Sequence, residues 1–226
     1  MNMQELINVN TVFFTILGYP MSYVEFFGTI FTAWSVYLAA KNKILTWPTS
    51  IIGIILYAFL FYQVQLYSDL LEQIYYFVTS FWGWWLWTHP KEGSSEKDKK
   101  ELKVGYTDKK GNVIAVVSIV VLTVLLGYLM SIIHLIFPKY FGVPASFPYL
   151  DAFTTVMSFI ATVYLAKRRI ENWYLWIIVD VIGVWLYYQK GVVFISLLYF
   201  AFLINAFYGY VKWSKSFKAY EKNKIQ

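Results

Sequence analysis

Apolar runs, each close to the ~20 residues that carry a helix across a bilayer, alternate along this chain with short polar stretches. They fall at 21–39, 46–64, 68–87, 113–137, 150–166, 172–190 and 192–212, one of them slightly interrupted. Seven membrane-spanning helices are therefore predicted. The segment from Val12 to Tyr19 is too short to span and is expected to pack at the surface. Composition agrees with the pattern. Of the 226 residues 59% are hydrophobic and 14% charged, where soluble domains average about 45–50% and about 25%.

The polar positions set sidedness. With seven spans, 17 of the 19 Lys and Arg residues share one face. They are Lys41, Lys43, seven lysines between 91 and 110, Lys167, Arg168, Arg169 and five lysines from 212 onward. Only Lys139 and Lys190 fall on the other face. The bias of Lys and Arg toward the cytoplasm predicts a multi-pass protein of the cytoplasmic (inner) membrane, its N-terminus outside and its C-terminus in the cytoplasm. The first nineteen residues have no Lys or Arg and so lack the basic start of a secretory signal peptide. The stretch Lys91–Lys110 mixes charges and offers no apolar face, which reads as a solvated cytoplasmic linker. Orientation accounts for the net charge of +6, and no nucleic-acid partner is expected. The absence of cysteine excludes disulfides, thiolate nucleophiles and thiolate metal sites. His89 and His134 lie far apart, so no familiar His-rich metal site is expected, and no cofactor either.

An internal repeat organises the chain. Residues 47–87 align without gaps onto 173–213 at an offset of 126, with 10 of 41 positions identical, among them Trp47/Trp173, Gln63/Gln189, Gly83/Gly209 and Trp87/Trp213. Upstream, VYLA at 36–39 matches VYLA at 163–166 with one residue of slippage. Each unit is three helices, and one extra helix between them gives both units the same orientation. Parallel repeats about an axis along the membrane normal are a transporter plan, with the substrate near the midplane. The expected fold is an all-α membrane protein in a 3+1+3 arrangement. The chain divides into an N-terminal extracytoplasmic segment 1–19, a repeat 20–88, a charged linker 89–112, a linker helix 113–137, a repeat 148–213 and a tail 214–226.

The run YQVQLYSDLLEQIYYFVTSFWGWWLW from Tyr62 to Trp87 resembles the third-helix region of PnuC-type vitamin transporters. The run ENWYLWIIVDVIGVWLYYQKGVVFISLLYF from Glu171 to Phe200 resembles their sixth and early seventh helices. The resemblance implies facilitated diffusion of nicotinamide riboside, a precursor of NAD, which a separate kinase then traps by phosphorylation. It also implies a full-length version of the SWEET sugar-transporter plan. Relatives are thought to carry thiamine or other vitamins, and an amide can stand in family members where this chain has Asp180. The expected partners are the vitamin, membrane lipid and further copies of the chain, with a homotrimer as the candidate assembly.

Candidate site residues follow from polarity and depth. Asp180 lies about 11 Å along its helix from Trp173 at ~1.5 Å per residue. An ionised acid there costs roughly 2.5–3.5 kcal/mol, so it should face the protein interior or a cavity. It is a candidate acceptor for substrate hydroxyls, a counter-charge for a cationic ring, or a proton-coupling group, and the competing reading is a structural tie. Trp173, Trp176, Asp180 and Tyr187 share one broad face. Trp176, Trp185, Trp82, Tyr76 and Tyr199 sit deep enough to stack on a flat cationic ring, at roughly 0.5–2 kcal/mol each, or to serve as packing. Gln73 and Asn205 can donate and accept, for a carboxamide and a ribose or as interhelical glue. Trp47, Trp87, Trp173 and Trp213 fall at helix ends, where an interfacial aromatic belt is expected, although Trp173 also belongs to the family motif. Gly83 and Gly209 are expected to permit close helix approach, and Asp69 and Glu72 to cap their helix.

No paired acids, His cluster or serine–base constellation occurs at mid-membrane depth, which argues against an enzyme. No lysine lies between Val192 and Val211, which removes a retinal photoreceptor. A solute carrier is the predicted class.

Overall fold

The computed structural model describes residues 3–64, 67–89, 103–138, 144–189 and 191–225. Lysines 91–100, Lys139 and Lys190 lie outside the described residues. A short helix α1 (Met3–Ile7) leads into a hairpin of β1 (Val12–Ile16) and β2 (Tyr19–Ser22). Helices α2 (Tyr23–Ala40), α3 (Thr46–Gln63), α4 (Tyr67–Thr88), α5 (Lys109–Ile136), α6 (Pro148–Ala166), α7 (Glu171–Gln189) and α8 (Val193–Ile225) follow. Four of them, α3, α5, α6 and α8, are long and apolar enough to cross a membrane. In α4 and α7 the acids Asp69, Glu72, Glu171 and Asp180 and the many Tyr and Trp rings lower the apolar character.

The expectation of a wholly helical chain needs one amendment. The stretch from Val12 packs at the surface as an antiparallel hairpin, turning at Leu17 and Gly18 with φ of 51° and 78°. Ser22 then caps α2 by accepting from the Glu25 N–H at 3.3 Å, which supplies an otherwise orphan donor with a partner. Asp108 caps α5 in the same way, from Gly111 at 3.0 Å.

Neighbours in sequence pack in order, α2 on α3 on α4 and α6 on α7 on α8, with α5 against α6. Across the molecule α4 packs on α6 and α2 on α8. The first helix of each triplet thus meets the third helix of the other. The loops after α2 and α6 are copies of each other. Asn42 and Arg168 take left-handed φ of 58° and 52°, and their N–H groups bond Ala39 and Leu165 at 2.9 Å in both cases. The offset of 126 therefore holds through these loops, and the one-residue slip read from VYLA does not apply to the backbone. The end that carries Lys41, Lys43, Lys167 and Arg169 is here termed the basic end.

At that end lies the main core, built on Trp47, Trp87, Trp173 and Trp213 with Ala39, Ala40, Ala166, Ile170 and Val104. All four indoles are buried, at 2% exposure or less. This corrects the reading of an interfacial belt, since a belt residue would keep its polar tip in the headgroups. Gly83 and Gly209 likewise serve the rings rather than a helix backbone. A Cβ on Gly83 would stand 2.3 Å from the Trp47 ring, and one on Gly209 would stand 2.6 Å from the Trp173 ring.

Two polar stretches also carry more structure than expected. Val104 is buried in the tryptophan core, and Gly105 forms a parallel bridge with the α6–α7 loop, bonding Arg168 O at 3.1 Å and Ile170 N at 2.9 Å. The last part of the linker is therefore tied down. The tail read as 214–226 continues α8 to Ile225, and Phe217 packs edge-on to Tyr106 at 5.2 Å.

Helix α5 buries only Ile119 and Gly127 and exposes a run of valines and leucines.

Gly209→Ala is expected to cost roughly 1–3 kcal/mol through overpacking, seen as a lowered unfolding temperature in detergent. Combining it with Trp173→Leu should recover part of the loss if indole contact is the cause.

Candidate functional site

Two layers of side chains hold the candidate residues. The first is the tryptophan cluster at the basic end. Trp47 meets Trp87 edge-to-face at 5.3 Å and 88°, and Trp173 meets Trp213 at 5.4 Å and 88°. Across the middle Trp87 and Trp213 lie 6.3 Å apart. Trp87 Nε1 donates to Ala166 O at 2.9 Å, and Trp213 Nε1 donates to Ala39 O at 3.1 Å. Each bond runs from the third helix of one triplet to the first helix of the other. Ala39 and Ala166 are the closing alanines of the two VYLA strings, so the slipped match marks the indole acceptors although the backbone keeps its own register. The Nε1 atoms of Trp47 and Trp173 are buried without a partner among the described residues.

One cation enters this layer. Arg168 is 1% exposed and holds its guanidinium 4.0 Å over the Trp87 ring. Sequence reading counted it only among the charges of a loop. Its left-handed backbone turns the side chain inward, and charge counting carries no sign of that.

The second layer surrounds the middle of α7. Asp180 is 4% exposed and makes no hydrogen bond among the described residues. Trp176 bridges the layers, packed against the tryptophan core and against a second core of Ile119, Val156, Met157 and Val179. Tyr199 leans on Gly183, where a Cβ would stand 2.2 Å from its ring, and stacks on Tyr187 at 5.2 Å and 20°. Tyr76 contacts Phe159 of α6 at 5.8 Å and 78°. Trp173, Trp176, Asp180 and Tyr199 are thus brought onto the packed side of α7 and α8.

Other expected residues are engaged elsewhere. Trp185 is 49% exposed and packs edge-on to Phe147, on the face of α7 opposite Asp180. Trp82 packs on the tryptophan core, with Lys167 Nζ 5.8 Å over its ring. Asn205 donates to Val36 O of α2 at 3.1 Å, the bond of an interhelical tie. Gln73 donates back to Asp69 O in its own helix at 3.5 Å. Glu72, expected as a cap, instead accepts from Thr155 of α6 at 2.9 Å. One turn on, Tyr75 donates to Phe159 O at 2.8 Å and stacks on its ring at 4.0 Å.

Beyond these layers the hairpin reaches the opposite end of the molecule. Tyr19 donates to Glu25 at 2.6 Å and stacks on Phe194 of α8 at 5.8 Å. Burial, and then the bond to Glu25, raises the Tyr19 phenol above its ordinary range, so it stays a donor. Gln63 binds the end of α1 and the turn after it, donating to Ile7 O at 2.7 Å and accepting from Val9 N at 3.2 Å. Two shallow grooves, at Asn112, Val113, Val116 and Val117 and at Phe81, Trp84, Trp85 and Thr88, lie on outer surfaces away from Asp180. Among the described residues no three His, Asp or Glu side chains converge as a metal site.

Residues 22–215 match the family described as nicotinamide mononucleotide transporter. The nicotinamide riboside transporter PnuC of Escherichia coli (strain K12) is 28% identical over 214 residues, 88% of each chain. The riboflavin/roseoflavin transporter RibM of Streptomyces davaonensis is 21% identical over 91% of each chain. Among solved structures, the crystal structure of the vitamin B3 transporter PnuC matches with a TM-score of 0.63 at 23% identity, over 87% of this chain and 83% of that one.

Thr155→Val should lower stability by about 1–3 kcal/mol, because it strands the half-buried Glu72 carboxylate. The double substitution Thr155→Val with Glu72→Leu should lose much less, since both polar partners are then gone. A double-mutant cycle on thermal unfolding in detergent checks this.

Proposed function

The chain belongs to the nicotinamide mononucleotide transporter family, a family of carriers rather than enzymes, and we propose that its own solute is nicotinamide riboside. The observation that carries this reading is the chemistry of the central layer. Asp180 is a buried acid on the packed side of α7 that also carries Trp176, with the Tyr199 ring of α8 against Gly183 one turn further on, and helices α2–α4, α6 and α7 contain no Lys or Arg. In α5 and α8 the basic residues stand only at the basic end. A pyridinium riboside supplies a flat cationic ring for the aromatic faces and hydroxyls for the carboxylate. A phosphomonoester would bring two negative charges beside Asp180, while the buried Arg168 guanidinium is held over Trp87 at the basic end, and that disfavours the mononucleotide.

The transport cycle is facilitated diffusion. Seven spanning helices in a 3+1+3 plan hold the two triplets in the same orientation around the solute, with the basic end in the cytoplasm and the N-terminus outside. The SWEET-like plan is supported by the way corresponding tryptophans of both repeats meet at one end. Trp173, Trp176, Asp180 and Tyr199 bind the solute, with Tyr76 nearby from α4. Asn205, Gln73, Trp82 and Trp185 act in packing. Copies of the chain assemble as a homotrimer in the inner membrane.

Calorimetry on purified protein should show nicotinamide riboside binding ahead of the mononucleotide, thiamine and riboflavin. The riboflavin relative makes a flavin the solute to beat, and tighter flavin binding overturns the assignment. Asp180→Ala should weaken binding at least tenfold, about 1.4 kcal/mol, with the unfolding temperature held; unchanged affinity returns Asp180 to a structural role. In proteoliposomes, uptake should stop at equilibrium with or without a pH gradient, whereas accumulation above the external level would show proton coupling.

A further inference from the structure

The two seams that join the triplets are built on one plan but are not equally fastened. Among the described residues the α4–α6 seam has three side-chain bonds: Thr155 to Glu72, Tyr75 to Phe159 O and Trp87 to Ala166 O. It adds the close Tyr75–Phe159 stack and the Arg168 guanidinium over Trp87. Among the same residues the α2–α8 seam has two, Asn205 to Val36 O and Trp213 to Ala39 O. At its far end the hairpin covers it with a ring stack, Tyr19 on Phe194.

The two indole bonds also differ in what breaking them leaves behind. Ala39 O accepts a second bond, from Asn42 N at 2.9 Å, so loss of Trp213 leaves that carbonyl satisfied. Ala166 O has Trp87 as its partner among the described residues, so breaking that bond strands a buried carbonyl and a buried indole N–H together, where breaking the Trp213 bond strands the N–H alone. Each stranded group carries its own desolvation penalty. The Arg168 position has Asn42 as its counterpart in the first triplet, so the corresponding loop of that triplet brings no cation to the core. Finally, Gly105 clamps the Arg168 loop through two backbone bonds, while the bonds of the Asn42 loop among the described residues are internal or to its flanking helices.

We propose that the α2–α8 seam is the one that parts during transport, with Trp213 as its gate residue at the basic end, and that the α4–α6 seam, pinned by Trp87 and Arg168, is the hinge. The proposal rests on the carrier reading and adds which half of a pseudo-symmetric molecule moves. It also assigns Asn205 to the moving seam, where its bond to Val36 O breaks and reforms. Of the aromatic residues assigned to the solute, Trp176 stands on α7 and Tyr199 on α8, so parting of α8 from α2 opens their side of the layer while the α4–α6 seam stays closed.

The chain has no cysteine, so spin labels go only where cysteines are introduced. One double variant, Lys41→Cys with Lys215→Cys, reports across α2 and α8. Another, Thr88→Cys with Lys167→Cys, reports across α4 and α6. In lipid nanodiscs without solute, electron–electron distance measurements should give two populations for the first pair and one for the second. Saturating nicotinamide riboside should shift the weights of the first pair alone. Movement of the second pair, equal movement of both, or a single population in both overturns the proposal.

Trp213→Phe keeps the ring and removes the donor. It should shift the populations of the first pair and change the uptake rate several-fold while affinity by calorimetry stays the same; unchanged populations count against the gate. Arg168→Gln should bring out a second population in the Thr88–Lys167 pair, and a single sharp population there counts against the hinge. If nicotinamide riboside does not bind, the distributions without solute still decide which seam moves, so the seam and the solute assignments fail separately.

Discussion

An indole approaches a helix this closely only where that helix has no side chain at the point of contact. Trp47 finds that place at Gly83 and Trp173 finds it at Gly209. The contact fixes the spacing of α3 to α4 and of α7 to α8, and in doing so it sets where Trp87 and Trp213 stand. Each then sits edge-on to its own triplet's tryptophan, with its N–H turned outward to the other triplet. Four large rings buried together contribute far more apolar contact than neighbouring aliphatic residues could, since each can bury about 150–250 Å². The joining of the halves follows from that contact.

The scaffold is duplicated and the chemistry is not. The loops after α2 and α6, the glycine-seated tryptophans and the crossed indole bonds occur twice. The polar and charged functional groups occur once. Asp180 corresponds to Ile54, Trp176 to Ser50, Tyr199 to Gln73 and Arg168 to Asn42. Duplication supplies two matched bodies, and divergence at a few inward positions leaves the buried acid and its neighbouring rings in one of them. A solute with a distinct top and bottom, such as a ring joined to a sugar, is better met by an asymmetric lining than by two equal ones.

Helix positions were legible in the sequence because apolar runs of bilayer length have few alternative structures. The helices from α2 to α7 begin and end within about four residues of their apolar runs, the scatter expected of element boundaries. The repeat register was legible too, since Trp, Gly and Gln matched in one frame. What sequence could not supply was direction. Trp87 and Trp213 lie where an aromatic belt would put them, and only the rotation of α4 and α8 about their own axes decides between lipid and core. The same holds for Trp185, which shares a helix with Asp180 but faces away from it. Arg168 was hidden by its left-handed turn, and Glu72 by the packing of α6 beside α4. Val104 shows the limit of composition: one apolar residue at the end of a charged stretch is enough to bring the backbone back to the core.

Helix α8 runs unbroken from Val193 to Ile225. Beyond Trp213 it continues for about 18 Å at ~1.5 Å per residue, well past what a bilayer requires. Along this extension Phe217 meets Tyr106 and Tyr220 meets Lys103, so the rod's outer part grips the same chain segment that clamps the Arg168 loop. A stiff rod held at its waist behaves as a lever. Any tilt of the rod would therefore be passed to the segment leading into α5, whose placement is tied in this way to that of α8.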